Sequence, residues 1–399
     1  MNRKPLLLAL LLSAMLLQAG CWNYRELNEL AIVSAMGVDK TSRGEYRASV
    51  QIINAREIAG RKATGNAMPV TVYAATGRTL FEAIRKTGNI VPRRINVQHM
   101  RDFVIGEELA REGVKDIFDL MERDHEMRLT TRVFIARGTS AESILGTLTA
   151  IESIPAIALL GKLKVSGGVM GEHFETKVDD VIRRLQVKGG GPVISGVMLV
   201  GDESMSEVKA NVERTALPAV LMINGMGLFR EGQLVGWIKG DPAKGLTWIS
   251  NKMKSSIVVL DCEKREGKVA IEILRSSTVV EAKVRNDKPS VDIAVREVGN
   301  VGEAMCPIDL NKSAEIRELE KQWSDATERA ILAAVKEAMK LKTDTLGFGE
   351  AVERADPKAW KRMERDWGRI FPTCDVTVRV EASIQRTGMR TSPFFFKQK

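Results

Sequence analysis

Four cysteines and three histidines are the side chains of this sequence best equipped for covalent or metal chemistry. Cys21 stands alone near the amino terminus, where its sulfur is a nucleophile that can be alkylated to a thioether. Cys262, Cys306 and Cys374 lie far downstream. Three is odd, so at most one pair can form, and the spacing fits neither a zinc pattern nor a disulfide framework. They read as small buried hydrophobes. His99, His125 and His173 have no partner at metal-ligand spacing, and His125 sits in RDHEMR, a charged surface loop. There is no G-x-S-x-G elbow, Walker loop, C-x-x-C pair or H-E-x-x-H. The glycines of KGGGP (residues 188–192) lack the strand–loop–helix setting of a phosphate cradle and read as a linker. Carboxylates are plentiful but scattered, as on solvated helix faces. The expectation is a binding or scaffolding component, not an enzyme, with no cofactor and no metal.

The segment before Cys21 is what positions it. Residues 1–20 read MNRKPLLLALLLSAMLLQAG: two basic residues, Arg3 and Lys4, then an apolar run broken only by Ser13, then Gln18, Ala19 and Gly20. A basic start, a short apolar core and small residues at the cut make a secretory signal. The core is about 12 residues, short of the roughly 20 that span hydrocarbon, and no later stretch is long and apolar enough. The small residues before Cys21 resemble the lipobox of bacterial lipoproteins, although Gln18 stands where an aliphatic residue is usual. That resemblance implies cleavage between Gly20 and Cys21, S-diacylglycerol on the cysteine sulfur, and an N-acyl chain such as palmitate on its amino group. Two or more acyl chains anchor stably. Trp22 and Tyr24 then fall at the headgroup level or pack on the first domain. The chain carries 60 Lys and Arg against 51 Asp and Glu, a net charge of +9. Loss of Arg3 and Lys4 with the signal leaves +7. In an exported protein this balance suits an anionic membrane surface and not nucleic acid.

Beyond Cys21 the pattern is α+β in class. Alternating or β-branched runs place strands at residues 30–38, 46–53, 69–75, 101–106 and 130–136. Thr79 and Ser140 read as helix caps, and residues 113–122 carry apolar side chains at helical spacing. After the glycine run, residues 193–200, 217–223, 225–230 and 233–239 read as strands, with Glu231-Gly232 at a hairpin turn. Residues 255–298 read as an antiparallel meander of four strands, including KVAIEILR and TVVEAKVR. One long helix follows from about Ser313 to Leu341, its apolar face running through Ile316, Leu319, Trp323, Ala326 and Ala330. Asp356-Pro357 starts another helix, and residues 375–385 alternate as a last strand. The domains expected are a signal at 1–20, an N-terminal α+β domain at 21–190, a small β-rich domain at 191–250, an antiparallel sheet with helices at 251–386, and a disordered tail at 387–399.

Several segments together resemble the C-subunit lipoproteins of spore germinant receptors. They are CWNYRELNELAIVSAMGVDK (21–40), the stretch from Arg93 through RRINVQHMRDFVIGEELAREGVKDIFDLMERDHEMRLTTRVFIARG, GLFREGQLVGWIKGDPAKGLTWI (227–249), TLGFGEAVERADPKAW and the following WGRIFP. Asn23 stands where Asp is common. The resemblance covers nearly the whole chain in order. It implies three mixed α/β domains, a place on the outer face of the spore inner membrane, and a complex with A and B subunits that responds to small nutrient germinants. It implies no catalysis. Two other readings stay open at this point: a substrate-binding lipoprotein of a transporter, which needs parallel βαβ lobes around a cleft, and an exported wall or lipid enzyme, which needs clustered carboxylates in a cleft.

Overall fold

The computed structural model describes residues 26–59, 68–262 and 266–386. Among these residues, nine strands form a first sheet: β1 (Leu30–Lys40), β2 (Tyr46–Ile53), β3 (Val70–Gly77), β4 (Arg94–Asn96), β5 (Asp102–Gly106), β6 (Arg132–Ala136), β7 (Val193–Gly201), β8 (Ala219–Arg230) and β9 (Gln233–Ile238). The order is β3-β2-β1-β5-β6-β7-β8-β9, with β4 beside the start of β1. The centre, β1-β5-β6-β7, is parallel and both flanks are antiparallel.

The parallel centre explains its own sequence. All residues of DFVIG in β5 and RVFIA in β6 are buried. Phe103, Ile105, Val133 and Ile135 face one core, whereas Val104, Phe134 and Ala136 face the other. A strand covered on both faces needs a continuous apolar run, not an alternating one. The first core is closed by helices Leu80–Thr87, Glu107–Glu112, Lys115–Arg123 and Val178–Gln186. The second is closed by helices Ala141–Gly146 and Pro155–Val169. Thr79 and Ser140 accept from Glu82 N and Ser143 N, as their cap positions predict.

Residues 191–250 do not stand apart as a small domain. Their strands β7, β8 and β9 extend the first sheet, because β7 pairs with the exposed side of β6 and would otherwise leave that strand as a bare edge. The glycine run is likewise no loose linker. Gly189 takes φ +67° against the Trp367 ring, and a Cβ on Gly191 would lie 1.8 Å from the Phe229 carbonyl oxygen. These glycines let two chain segments touch.

The second sheet contains β10 (Ser256–Asp261), β11 (Lys268–Arg285), β12 (Lys288–Ala304) and β13 (Asp375–Arg386), in that order. The first three are antiparallel, as expected. KVAIEILR and TVVEAKVR are one strand, not two: the pairing with β12 runs on through Ser276 and Ser277, and the chain bends at a register shift near Ile273. β13 joins β12 in parallel. Helix Ser313–Lys340 carries the chain back along the sheet, so the last strand starts at the same end as β12. That helix buries Leu319, Trp323 and Ala330 on the expected stripe. Gly299 has no side chain to hold the Trp323 ring off the sheet.

Among the downstream cysteines, Cys374 is free and buried, with its thiol pushed up by burial to about 12. Cys262 and Cys306 instead form a disulfide. The ladder explains the pairing. Leu260 and Ala304 both lie opposite Val269, so the ends of β10 and β12 meet across β11.

Candidate functional site

Gly20, Cys21, Trp22 and Tyr24, the expected cleavage, lipidation and membrane-proximal residues, lie outside the described residues. The tail at 387–399 also lies outside them. What the structure places is the strand that a tether at Cys21 would pull on. β1 is an inner strand, paired with β2, β4 and β5. It is braced further by Ser34, whose hydroxyl donates to Gln51 Oε1 at 2.7 Å, and Gln51 in turn donates to the Leu145 carbonyl at 2.6 Å. Both polar side chains are buried.

Beside the start of β1 is a cavity of about 440 Å³. Ile32 and Ser34 form one wall and Ile154 and Ile157 another, while His99, Arg101 and Arg128 stand at the exposed rim and Arg132 is buried in the floor. Arg132 is held by Asp102, 2.7 Å away in the floor. Burial lifts the Asp102 carboxyl to about 7, with Arg132 pulling partly back. Sequence reasoning missed this rim. Its arginines come from separate turns and strand ends, and only the parallel register of β5 and β6 sets Asp102 opposite Arg132. His99 and His125 are exposed.

His173 is the remaining histidine. Its Nδ1 is 2.8 Å from Ser166 Oγ, and burial depresses its pKa to about 4. A Ser–His pair invites an acyl-transfer reading, but a general base needs its other nitrogen oriented by a third group. Nε2 of His173 is buried without a partner. Among the described residues no His, Cys, Asp and Glu group is arranged to hold a metal ion. Among them, too, no helix is long and apolar enough to cross a membrane.

The buried carboxylates brace elements. Asp344 is fully enclosed and accepts from Phe348 N at 2.9 Å, Gly349 N at 2.6 Å and Trp367 Nε1 at 2.8 Å. Its own N–H donates to the Gly189 carbonyl. Burial raises its pKa, and these donors pull it partly back. Nearby, Arg184 and Glu350 pair at 3.0 Å, tying helix Val178–Gln186 to helix Phe348–Ala355. The junction between the two sheets therefore carries hydrogen-bonded and ion-paired contacts beside its apolar core.

Comparison with known proteins gives this architecture a family. Residues 23–198 match the spore germination protein N-terminal domain, and residues 224–388 match the spore germination B3/GerAC-like C-terminal domain. The chain is 33% identical to spore germination protein KC of Bacillus subtilis over 98% of both chains. It is 21% identical to spore germination protein B3 of the same organism, over 92% of this chain and 94% of that one. The crystal structure of the GerBC protein shares the fold, with a TM-score of 0.56 at 17% identity, over 88% of this chain and 96% of that one. The C-terminal match begins inside β8, so one sheet serves both matched regions. By two domain matches and one end-to-end relative, the chain belongs to the spore germination B3/GerAC-like family.

Proposed function

We propose that this protein is the lipid-anchored C subunit of a spore germinant receptor, held on the outer face of the spore inner membrane through Cys21. It acts without catalysis, by presenting its folded body to the A and B subunits that sense small nutrient germinants with it. The observation that carries this reading is the end-to-end similarity to spore germination protein KC; residues 1–20, which read as a secretory signal before Cys21, support it. Tethering raises the local concentration of the body at its partners, so weak contacts suffice. The arginine rim beside the start of β1 suits an anionic headgroup region.

The test has two parts. Spores lacking the gene should lose the response to at least one germinant in a nutrient panel; full responses to all would refute the receptor role. Cys21→Ala protein, at normal cellular levels, should be largely lost from a salt-washed membrane fraction, and undiminished retention there would refute the anchor.

A further inference from the structure

Helix Pro155–Val169 (PAIALLGKLKVSGGV) carries no acidic residue and has no polar face. One side, with Ala156, Leu159 and Leu163, packs on the core. The other leaves Val165 65% exposed, with Val169 and Met170 open at the end of the helix. Ile151, just before it, is 95% exposed. Together with Met222 of β8 they line an apolar groove of about 640 Å³. A continuous exposed apolar patch of this kind marks an interaction surface.

The groove lining carries few charges. Lys162 lines the groove itself, Lys164 is exposed elsewhere on the same helix, and Arg101 and Arg128 belong to the separate cavity at the helix start. Glu152 is the acid in the groove lining. The helix also begins where the chain enters the first sheet, because Ile154 and Ile157 share that cavity with Ile32 of β1. From Cys21 to Leu30 is nine residues, a reach of at most about 30 Å. The helix itself is about 22 Å long. A lipid on Cys21 thus keeps the start of this helix within about 30 Å of the bilayer.

We propose that this face docks on the bilayer. The groove and the exposed valines meet acyl chains, and Lys162 in the groove lining meets an anionic headgroup. Attachment strength then scales with buried apolar area plus attraction to anionic lipid. The proposal rests on the lipid anchor above, but it concerns a second contact that the anchor only brings into range.

A polarity-sensitive dye tests it. The dye is attached at Val165→Cys in the lipidated full-length protein, and in a control at Val259→Cys, an exposed position in the second sheet. The probe is a vesicle of phosphatidylcholine and phosphatidylglycerol. Dye at 165 should shift to the blue and be quenched by acyl-chain quenchers, whereas dye at 259 should not. In the mature Cys21→Ala chain, Val165→Asp with Val169→Asp should lower vesicle affinity on the order of tenfold. Both positions are solvent-facing, so the fold should survive, as circular dichroism would verify. If vesicle-bound lipidated protein shows no shift at 165, docking is overturned and the anchor stands. If the lipidated protein does not stay on vesicles, the anchor fails as well. A shift that appears only with other receptor subunits assigns the groove to protein and also overturns the bilayer reading.

Discussion

Replacing Glu297 with Gln should remove a pH-dependent weakness at the centre of the C-terminal unit. Glu297 points from β12 into the core at 1% exposure. It accepts hydrogen bonds from Trp248 Nε1 and, at 2.8 Å, from Thr327 Oγ1 of the long helix. Burial lifts its pKa from 4.5 to about 7, and those hydrogen bonds pull part of the way back. The folded protein therefore keeps a proton that the unfolded chain releases. The sign follows: the stabilising proton is fully present below pH 4.5 and is lost as pH climbs through about 7. At about 1.4 kcal/mol per pH unit, the interval is worth about 3 kcal/mol. Gln mimics the protonated acid, since it can accept from Trp248 and donate to Thr327. The variant should match the wild type near pH 4.5 and exceed its stability by up to about 3 kcal/mol at pH 8. Urea unfolding followed by tryptophan emission, repeated across that range, measures both curves. Other carboxylates contribute equally to each, so only the difference counts. Parallel curves for wild type and variant would refute the reasoning.

Asp344→Ala strips acceptors from two helix N–H groups and an indole at once; a loss of about 3 kcal/mol or more is expected by thermal unfolding. Cys262→Ala with Cys306→Ala opens a loop with a sequence separation of 44. Loop entropy sets the loss at up to about 4 kcal/mol, and a reductant should lower the wild-type melting temperature but not that of the double variant. A chain ending at residue 190 lacks β7, β8 and β9 and with them Ile194, Phe229 and Leu234 of the first core. It should be insoluble or bind hydrophobic dyes as a molten species, whereas well-dispersed amide resonances would contradict the shared sheet.

Local features were legible in the sequence because they are set locally. Thr79, Ser140 and Asp356 cap helices with their own oxygens. Glu231-Gly232 takes positive φ at its turn. The long helix follows its apolar spacing. What was not legible depends on distant pairing. Ser276 and Ser277 look like a break between strands, but β12 offers partners straight through them. β13 alternates as any half-buried strand would, and nothing in that alternation says which way it lies against β12. Helix Pro155–Val169 escaped notice because, without a polar face, it has no helical period to detect. The candidate site divides in the same way. Cys21 is announced by the residues directly before it, whereas Arg101, Arg128 and Arg132 become neighbours only once β1, β5 and β6 align.

The shared sheet also bears on how a tethered subunit would work. One core holds Val193, Met226, Leu228 and Ile238 from the first sheet together with Trp248, Trp323 and Trp367 from the C-terminal unit. Moving the two units apart would open that core, pull Gly189 off the Trp367 ring and break the Asp344 and Arg184 contacts. Each step exposes apolar area or leaves buried polar groups unpaired, so the folded state resists it. A lipid at Cys21 would pull on an inner strand of the same body. The tether then fixes more than distance. It limits which faces of a stiff object can reach the membrane and its neighbours, and a preorganised surface loses less entropy on contact than a jointed one. In this architecture specificity belongs to the stiff body that begins at β1.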